Sequence, residues 1–199
     1  TETSPVSFQT SIDDKLEKRT TTVGTVHPHI EVKIVDAHGQ IVRRGERGEI
    51  CTRGYCVMQG YWGDEEKTAE SIVDGWMLTG DEGVIDDDGY LAIVGRIKDL
   101  IIRGGENLSA KEIENVLHRH PGVREAAVVS MPHERLGEGV CAFIIAADAE
   151  PPTDASLSAF AESQSLARQK IPERYEFVDE LPRTAAGKVR KDQLRKRLW

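Results

Sequence analysis

The chain has 199 residues, enough for one large domain or for a medium and a small one. Charged residues make up 30% and hydrophobic residues 39%, which excludes a disordered polyampholyte, a collagen and a disulfide-stapled mini-protein. A net charge of −8 argues against a general nucleic-acid binder. No apolar run approaches the roughly 20 residues of a membrane span, and no secretory signal opens the chain.

The charge is uneven. Residues 1–98 carry 11 basic and 18 acidic side chains, net −7, whereas residues 99–199 carry 15 and 16, net −1. Within 183–199 seven basic residues face one acid, Asp192, an electropositive end suited to a small anion such as a phosphate. The three cysteines, Cys51, Cys56 and Cys141, form no CxxC pair, so a reduced, cytoplasmic setting is expected. His27 and His29 would share a strand face, while His118 and His120 would point different ways on a helix. Neither pair has a zinc site's spacing.

The first half reads as β-rich. Ile30, Val32 and Ile34 alternate with Glu31 and Lys33, which predicts a half-buried strand. Turns follow at Asp36–Gly39 and at 44–48, then a short strand over 49–53. Asp64 caps a brief helix reaching Ile72, with Glu65 and Glu66 at its N-terminal end. Asp86-Asp87-Asp88-Gly89 predicts a hairpin turn between Val84-Ile85 and a strand over 91–94. Short strands at such spacing suggest a small barrel or a distorted sheet.

The second half changes character. Ser109-Ala-Lys-Glu112 is a capping-box pattern, followed by Ile113, Val116 and Leu117 at helical spacing. Pro121-Gly122 stops that helix, and strands are predicted over 123–131 and 140–146, the second apolar enough to sit centrally in a sheet. A Pro-containing connection at 149–153 leads to a helix over 154–167. A strand over 175–178, a Gly-containing loop at 184–188 and a basic helix complete a compact α+β unit. The boundary between the halves is expected at 96–99.

Three segments carry chemistry. In Trp76-Met-Leu-Thr-Gly-Asp81 an Asp behind a Thr-Gly turn can accept hydrogen bonds from a ribose diol, or it can merely close its own turn. In Gly95-Arg-Ile-Lys-Asp-Leu-Ile-Ile-Arg-Gly-Gly-Glu-Asn107 charged residues bracket an apolar strand, and Gly104 and Gly105 allow close backbone approach. A strand and a Gly turn into a helix would explain the glycines but not the crowding of Arg96, Lys98 and Asp99. In Pro182-Arg-Thr-Ala-Ala-Gly-Lys-Val-Arg-Lys191, Lys188 sits in a loop of small residues, free to meet a phosphate or a carboxylate or simply to face solvent. The P-loop pattern is not met, because Val189 follows the lysine.

Taken together these segments resemble the C-terminal half of the AMP-forming acyl-CoA synthetases, a superfamily that includes peptide-synthetase adenylation domains and beetle luciferases. Further carriers are Thr1-Glu2, Gly60-Tyr61-Trp62, Asp88-Gly89-Tyr90, Glu112-Ile113-Glu114 and His120-Pro121. The resemblance implies an α+β chain: a β-rich, distorted-barrel end of the large AMP-binding domain at 1–97, then a small mobile domain at 98–199. It implies an ATP-dependent ligase that converts a carboxylic acid, here a fatty acid, to an acyl-adenylate and passes the acyl group to coenzyme A. Aryl-acid and alicyclic-acid ligases are the neighbouring alternatives, and a non-catalytic adenylate- or partner-binding module is the alternative of another class.

Residue by residue, the resemblance implies that Thr1 contacts the α-phosphate and Glu2 helps to hold Mg²⁺. Asp81 and Arg96 would bind the ribose, Lys98 would be the hinge, and Gly104 and Gly105 would lie beside the pantetheine channel. Lys188 matches the lysine of the adenylation step. Three positions depart from the family pattern: Met77 replaces an aromatic at a packing position, Leu108 follows Asn107 where a Pro is usual, and Gln169 replaces a Tyr. The pyrophosphate loop and acyl pocket are expected in an upstream, N-terminal part of the same polypeptide, so the 199 residues alone are not expected to turn over.

Overall fold

The computed structural model describes residues 1–3, 6–147 and 151–199. The expected connection at 149–153 therefore lies partly outside the described residues. The chain divides into two compact units, Thr1–Ile97 and Lys98–Trp199.

The first unit opens with β1 (Phe8–Gln9), α1 (Leu16–Thr21) and β2 (Thr25–Val26), with β1 and β2 paired antiparallel. Then come β3 (Ile30–Val35), β4 (Gly48–Gly54), α2 (Glu65–Ser71), β5 (Ile72–Val73), β6 (Trp76–Ile85) and β7 (Leu91–Arg96). The sheet runs β3-β4-β6-β5 with β7 also on β6, all antiparallel. The alternation over Ile30–Val35 buries Ile30 and Ile34, and Ile34, Ile50 and Leu91 form the centre of the core with Phe8, Val32 and Ile85 against them. Asp64 caps α2 as expected, its side chain accepting from the Lys67 amide at 3.0 Å.

Two expectations need correction here. Thr79-Gly80 is not a turn but a bulge inside the ten-residue strand β6. Cys51 pairs with Leu78 and Glu49 with Glu82, so three residues of β6, Thr79 to Asp81, oppose the single Ile50 of β4. Gly80 takes φ +68° there, which a residue with a Cβ adopts only under strain. Likewise His27 and His29 share no strand face, because both precede β3 and His29 itself lies at φ +62°.

The second unit begins with a 3-10 turn (Ile97–Asp99, which starts at the last residue of the first unit), then β8 (Leu100–Arg103), β9 (Glu106–Ser109) and α3 (Ala110–Leu117). It continues with β10 (Val123–His133), β11 (Gly137–Ala146), α4 (Asp154–Ser163), β12 (Arg174–Phe177) and α5 (Lys191–Arg195). The sheet order is β10-β11-β8-β9, with β12 parallel to β11. On β10 and β11 the residues alternate between two cores. Ala126, Val128, Val140, Ala142 and Ile144 face α3 and α4, whereas Ala127, Val129, Cys141, Phe143 and Ile145 face Leu181 and Leu194. Burial on both faces explains why the β11 sequence is an unbroken apolar run rather than an alternating one.

Ser109 caps α3 as the sequence predicts, accepting from the Glu112 amide at 3.3 Å. Two boundaries differ. The glycine pair does not lead into a helix: β8 turns through Gly104-Gly105 into β9, whose polar residues Glu106 and Asn107 carry no strand signal of their own. Helix α4 ends at Ser163, not at 167. Ser165 takes φ +61°, and the Leu166 and Ser165 amides donate to the Ala161 and Glu162 carbonyls, a Schellman ending. His118 is the C-cap of α3 rather than a helical residue, and it joins the Glu114 carbonyl and the Ala126 amide.

Candidate functional site

The bulge on β6 aims Asp81. Thr79 Oγ1 donates to the Ile50 carbonyl at 2.7 Å, the Gly80 amide donates to Glu49 Oε1 at 2.9 Å, and the Asp81 amide donates to Thr79 Oγ1 at 3.1 Å. The bulge is thus fastened to β4 at both of its extra residues. Asp81 is the register partner of Arg96 on β7, and Arg96 Nε lies 2.8 Å from Asp81 Oδ1. No side-chain hydrogen bond to Asp81 Oδ2 is made by the described residues, and the side chain is 30% exposed. A carboxylate steadied by an arginine and partly exposed can accept from a vicinal diol. Asp81 is an acceptor of the kind a ribose diol requires.

Beside Asp81, Glu82 has a different environment. Burial pushes its carboxyl above the usual carboxylate range, with Arg47 opposing the shift, and its Oε2 is buried without a partner among the described residues.

Glu2 is held near Tyr61. Its carbonyl accepts from the Met58 amide at 2.9 Å, and Tyr61 donates its hydroxyl to Glu2 Oε1 at 3.4 Å. The hydrogen bond from its own backbone amide leads the contacts that hold the Glu2 carboxyl below its ordinary value. Thr1 is exposed. No hydrogen bond or ion pair joins Glu2 to Asp81 or Arg96, and no three metal-type ligands cluster among the described residues. Glu2 therefore fits Mg²⁺ as one hard oxygen ligand, not as a complete site.

In the second unit Lys188 ends a tight hairpin. The Thr184 amide donates to the Lys188 carbonyl at 2.8 Å, the Lys188 amide donates to Thr184 Oγ1 at 3.2 Å, and Arg183 pairs with Val189. Arg183 braces the loop from below, donating to the Gly187 carbonyl at 2.8 Å and pairing with Glu125 at the start of β10. The Lys188 side chain is exposed, and its ammonium has no partner among the described residues. The loop is ordered by its backbone while its charge is left free.

Lys98 lies exposed in the 3-10 turn, and its carbonyl accepts from Arg195 Nη2 at 3.0 Å. Gly104 and Gly105 form the β8–β9 turn at φ +59° and +88°. The Gly104 amide donates to the Leu136 carbonyl at 2.9 Å, the Ile102 amide to Glu138 Oε2 at 2.6 Å, and Arg103 pairs with Glu173 at 2.6 Å. A Cβ on Gly104 would meet Leu136 Cδ2 at 3.2 Å, while one on Gly105 would meet nothing within 4 Å.

The two loops lie at opposite ends of one ladder. Arg103, before the glycines, pairs with Gly137, which opposes His133, whereas the Lys188 hairpin is tied to Glu125, which opposes Ile145. Eight residue steps along β10, Glu125 to His133, separate those ends, about 25 Å at strand rise.

The structure thus pairs Asp81 with Arg96, keeps Glu2 apart from them, and spreads Lys98, Lys188 and the glycines over one compact unit. Sequence reasoning missed the bracing residues, Glu49, Glu114, Glu125, Glu173 and Lys191. Glu114 alone left a signal: with Ala110, Ile113 and Leu117 it falls on the apolar stripe of α3, where a carboxylate must be paired. It is 6% exposed.

Residues 1–62 match the AMP-binding enzyme family, and residues 112–188 match the AMP-binding enzyme C-terminal domain. The chain is 43% identical to the medium-chain acyl-CoA ligase ACSF2, mitochondrial, of Rattus norvegicus, over 100% of this chain and 32% of the relative. It is 45% identical to the putative acyl-CoA synthetase YngI of Bacillus subtilis, over 99% of this chain and 36% of the relative. Among solved structures, the o-succinylbenzoate CoA synthetase MenE of Bacillus subtilis, in complex with the acyl-adenylate intermediate OSB-AMP, superposes with a TM-score of 0.89. That match has 34% identity and covers 97% of this chain and 39% of MenE. The chain spans about a third of the length of the relatives it matches. The two family matches bracket residues 63–111, which carry the Asp81–Arg96 pair, Lys98 and the glycine turn. The chain belongs to the AMP-binding enzymes, whose members include the acyl-CoA ligases.

Proposed function

We propose that the chain is the part of an acyl-CoA synthetase that closes the adenylate site and then presents the thiol-side surface. Its acid is a short- or medium-chain fatty acid, its nucleotide ATP, and its acceptor coenzyme A. In the first half-reaction a carboxylate oxygen attacks the α-phosphorus of ATP and pyrophosphate leaves. In the second, the coenzyme A sulfur attacks the acyl carbon and AMP leaves. Thr1 contacts the α-phosphate, Asp81 accepts from the ribose hydroxyls, and Arg96 steadies Asp81 and adds a second ribose contact. Glu2 offers an oxygen to Mg²⁺, which when bound neutralises phosphate charge.

Lys188 supplies its ammonium to the carboxylate and α-phosphate as charge builds between them. Gly104 and Gly105 leave a side-chain-free edge for a pantetheine arm. The observation that carries this reading is the separation of the two loops within one unit, about 25 Å along β10. Two surfaces so far apart serve one active centre in turn, by rotation at Lys98, with domains at 1–97 and 98–199. The three buried free cysteines fit a reducing, cytoplasmic setting. No helix of the described residues is long and apolar enough to cross a membrane.

The test is acid-dependent ATP–pyrophosphate exchange and thioester formation by the full-length polypeptide, with butyrate, octanoate and benzoate as competing acids. Octanoate or butyrate is expected to be preferred, and the 199-residue chain alone to give no exchange. Benzoate preference would move the substrate to the aryl acids. Absence of exchange with any acid by the full-length polypeptide would favour a non-catalytic module.

A further inference from the structure

A charge cluster at the start of α5 has no part in the reaction as proposed. Lys191 Nζ lies 2.6 Å from Glu114 Oε1 and 4.0 Å from Asp99 Oδ2. The Lys191 and Glu114 side chains are only 16% and 8% exposed, and Glu114 Oε1 also accepts from the Val128 amide at 2.9 Å. One turn later, Arg195 Nη2 reaches Asp99 Oδ1 at 2.5 Å and the Lys98 carbonyl at 3.0 Å. The cluster therefore joins four segments: the 3-10 turn, α3, β10 and α5.

Packing does not require it. Leu194 is fully buried, and Val189 lies against the same core, so apolar contacts already hold this segment to the sheet. Buried ion pairs are costly to desolvate, and apolar residues of similar size often hold a core as well or better. What an ion cluster adds is direction: it fixes where the segment stands along the sheet and against the turn. Lys191 is three residues from Lys188 and opens α5 directly after Arg190, whose amide closes the hairpin by donating to the Pro182 carbonyl at 2.7 Å. Asp99 is next to Lys98.

We propose that Lys191 is a positioning residue for Lys188. The Lys191–Glu114–Asp99 cluster ties the lysine-bearing hairpin to the turn at Lys98, so that a torsion change in the turn carries Lys188 as one rigid piece. Without the tie Lys188 reaches the reacting phosphate less often in the right geometry. This inference rests on the proposed use of Lys188 in adenylate formation.

The experiment uses the full-length polypeptide. Lys191→Met with Glu114→Gln removes both charges together, leaves no buried charge unpaired, and keeps a side-chain carbonyl for the Val128 amide. Adenylate formation is expected to fall about tenfold in kcat with the KM for ATP little changed. Thioester formation from supplied acyl-adenylate should stay within about twofold of the parent. Lys191→Arg should restore most of the adenylation rate. Arg195→Gln, at the more exposed end of the cluster, is the second variant should the first fail to fold, and it should show the same selective loss, smaller.

Equal loss in both half-reactions, or adenylation unchanged in these variants, would overturn the positioning role. Lys188→Ala, assayed alongside, separates the two ideas. If it leaves adenylation intact, the reading of Lys188 itself fails. If it abolishes adenylation while the Lys191 variants do not, only the positioning role fails.

Discussion

The Lys188 hairpin and the Gly104–Gly105 turn sit at two ends of the same sheet and are built in opposite ways. The hairpin is braced from beneath by charges, Arg183 on Glu125 and Lys191 on Glu114, and it holds one free charge outward. The glycine turn is clamped by backbone hydrogen bonds to the β10–β11 tip and by Arg103 on Glu173, and it holds nothing outward. One end presents a cation, the other presents space. That contrast suits a phosphoryl step that needs charge and a thiol step that needs access for a long, thin arm.

The largest expected effect falls at the charged end. Lys188→Ala should slow ATP–pyrophosphate exchange of the full-length polypeptide by about 10²–10³-fold, the usual loss for one transition-state donor. Its thermal midpoint should not move, because the ammonium has no partner among the described residues.

At the open end, Gly105→Leu should slow thioester formation by about 10²-fold while exchange proceeds. The added Cβ meets nothing within 4 Å in this chain, so the fold survives, at a cost of about 1–2 kcal/mol for a side chain at φ +88°. Gly104 is the poorer probe, since Leu136 would have to yield.

The clamps should sharpen the contrast with smaller effects. Leu194→Ala opens a cavity in the core beneath α5 and should lower stability by about 2–4 kcal/mol in urea unfolding of the 199-residue chain. Arg103→Leu leaves Glu173, 28% exposed, without its strongest partner, and should cost about 1–2 kcal/mol. In the full-length polypeptide Arg103→Leu should slow the thiol step several-fold more than the adenylation step. The opposite order would show that the two clamps do not serve separate loops.

Much of the fold was legible in the sequence because its signals are local. The alternation at Ile30–Ile34, the Asp64 cap and the apolar run of β11 each have one physical cause, and each formed as expected. What escaped notice depends on partners far along the chain. Strand β9 has no periodicity and exists because β8 offers it a ladder. The bulge at Thr79–Gly80 needs Glu49 and Ile50 of another strand to hold it. Helix α4 stops early because Ser165 takes a left-handed conformation that its residue type does not announce. The site shows the same division. Asp81, Arg96 and Lys188 stand in short recognisable strings, but the glutamates that brace the loops are 14 to 77 residues from what they hold. Only Glu114, a carboxylate on an apolar stripe, left a trace that periodicity could have found.

Single-turnover thioester formation by Lys188→Ala, from supplied acyl-adenylate and coenzyme A, decides whether the two ends of the small unit act in different half-reactions as proposed. The predicted rate is that of the parent, within about twofold, despite the lost adenylation. A thioester rate depressed as far as the exchange rate, in a variant of unchanged thermal midpoint, would contradict it.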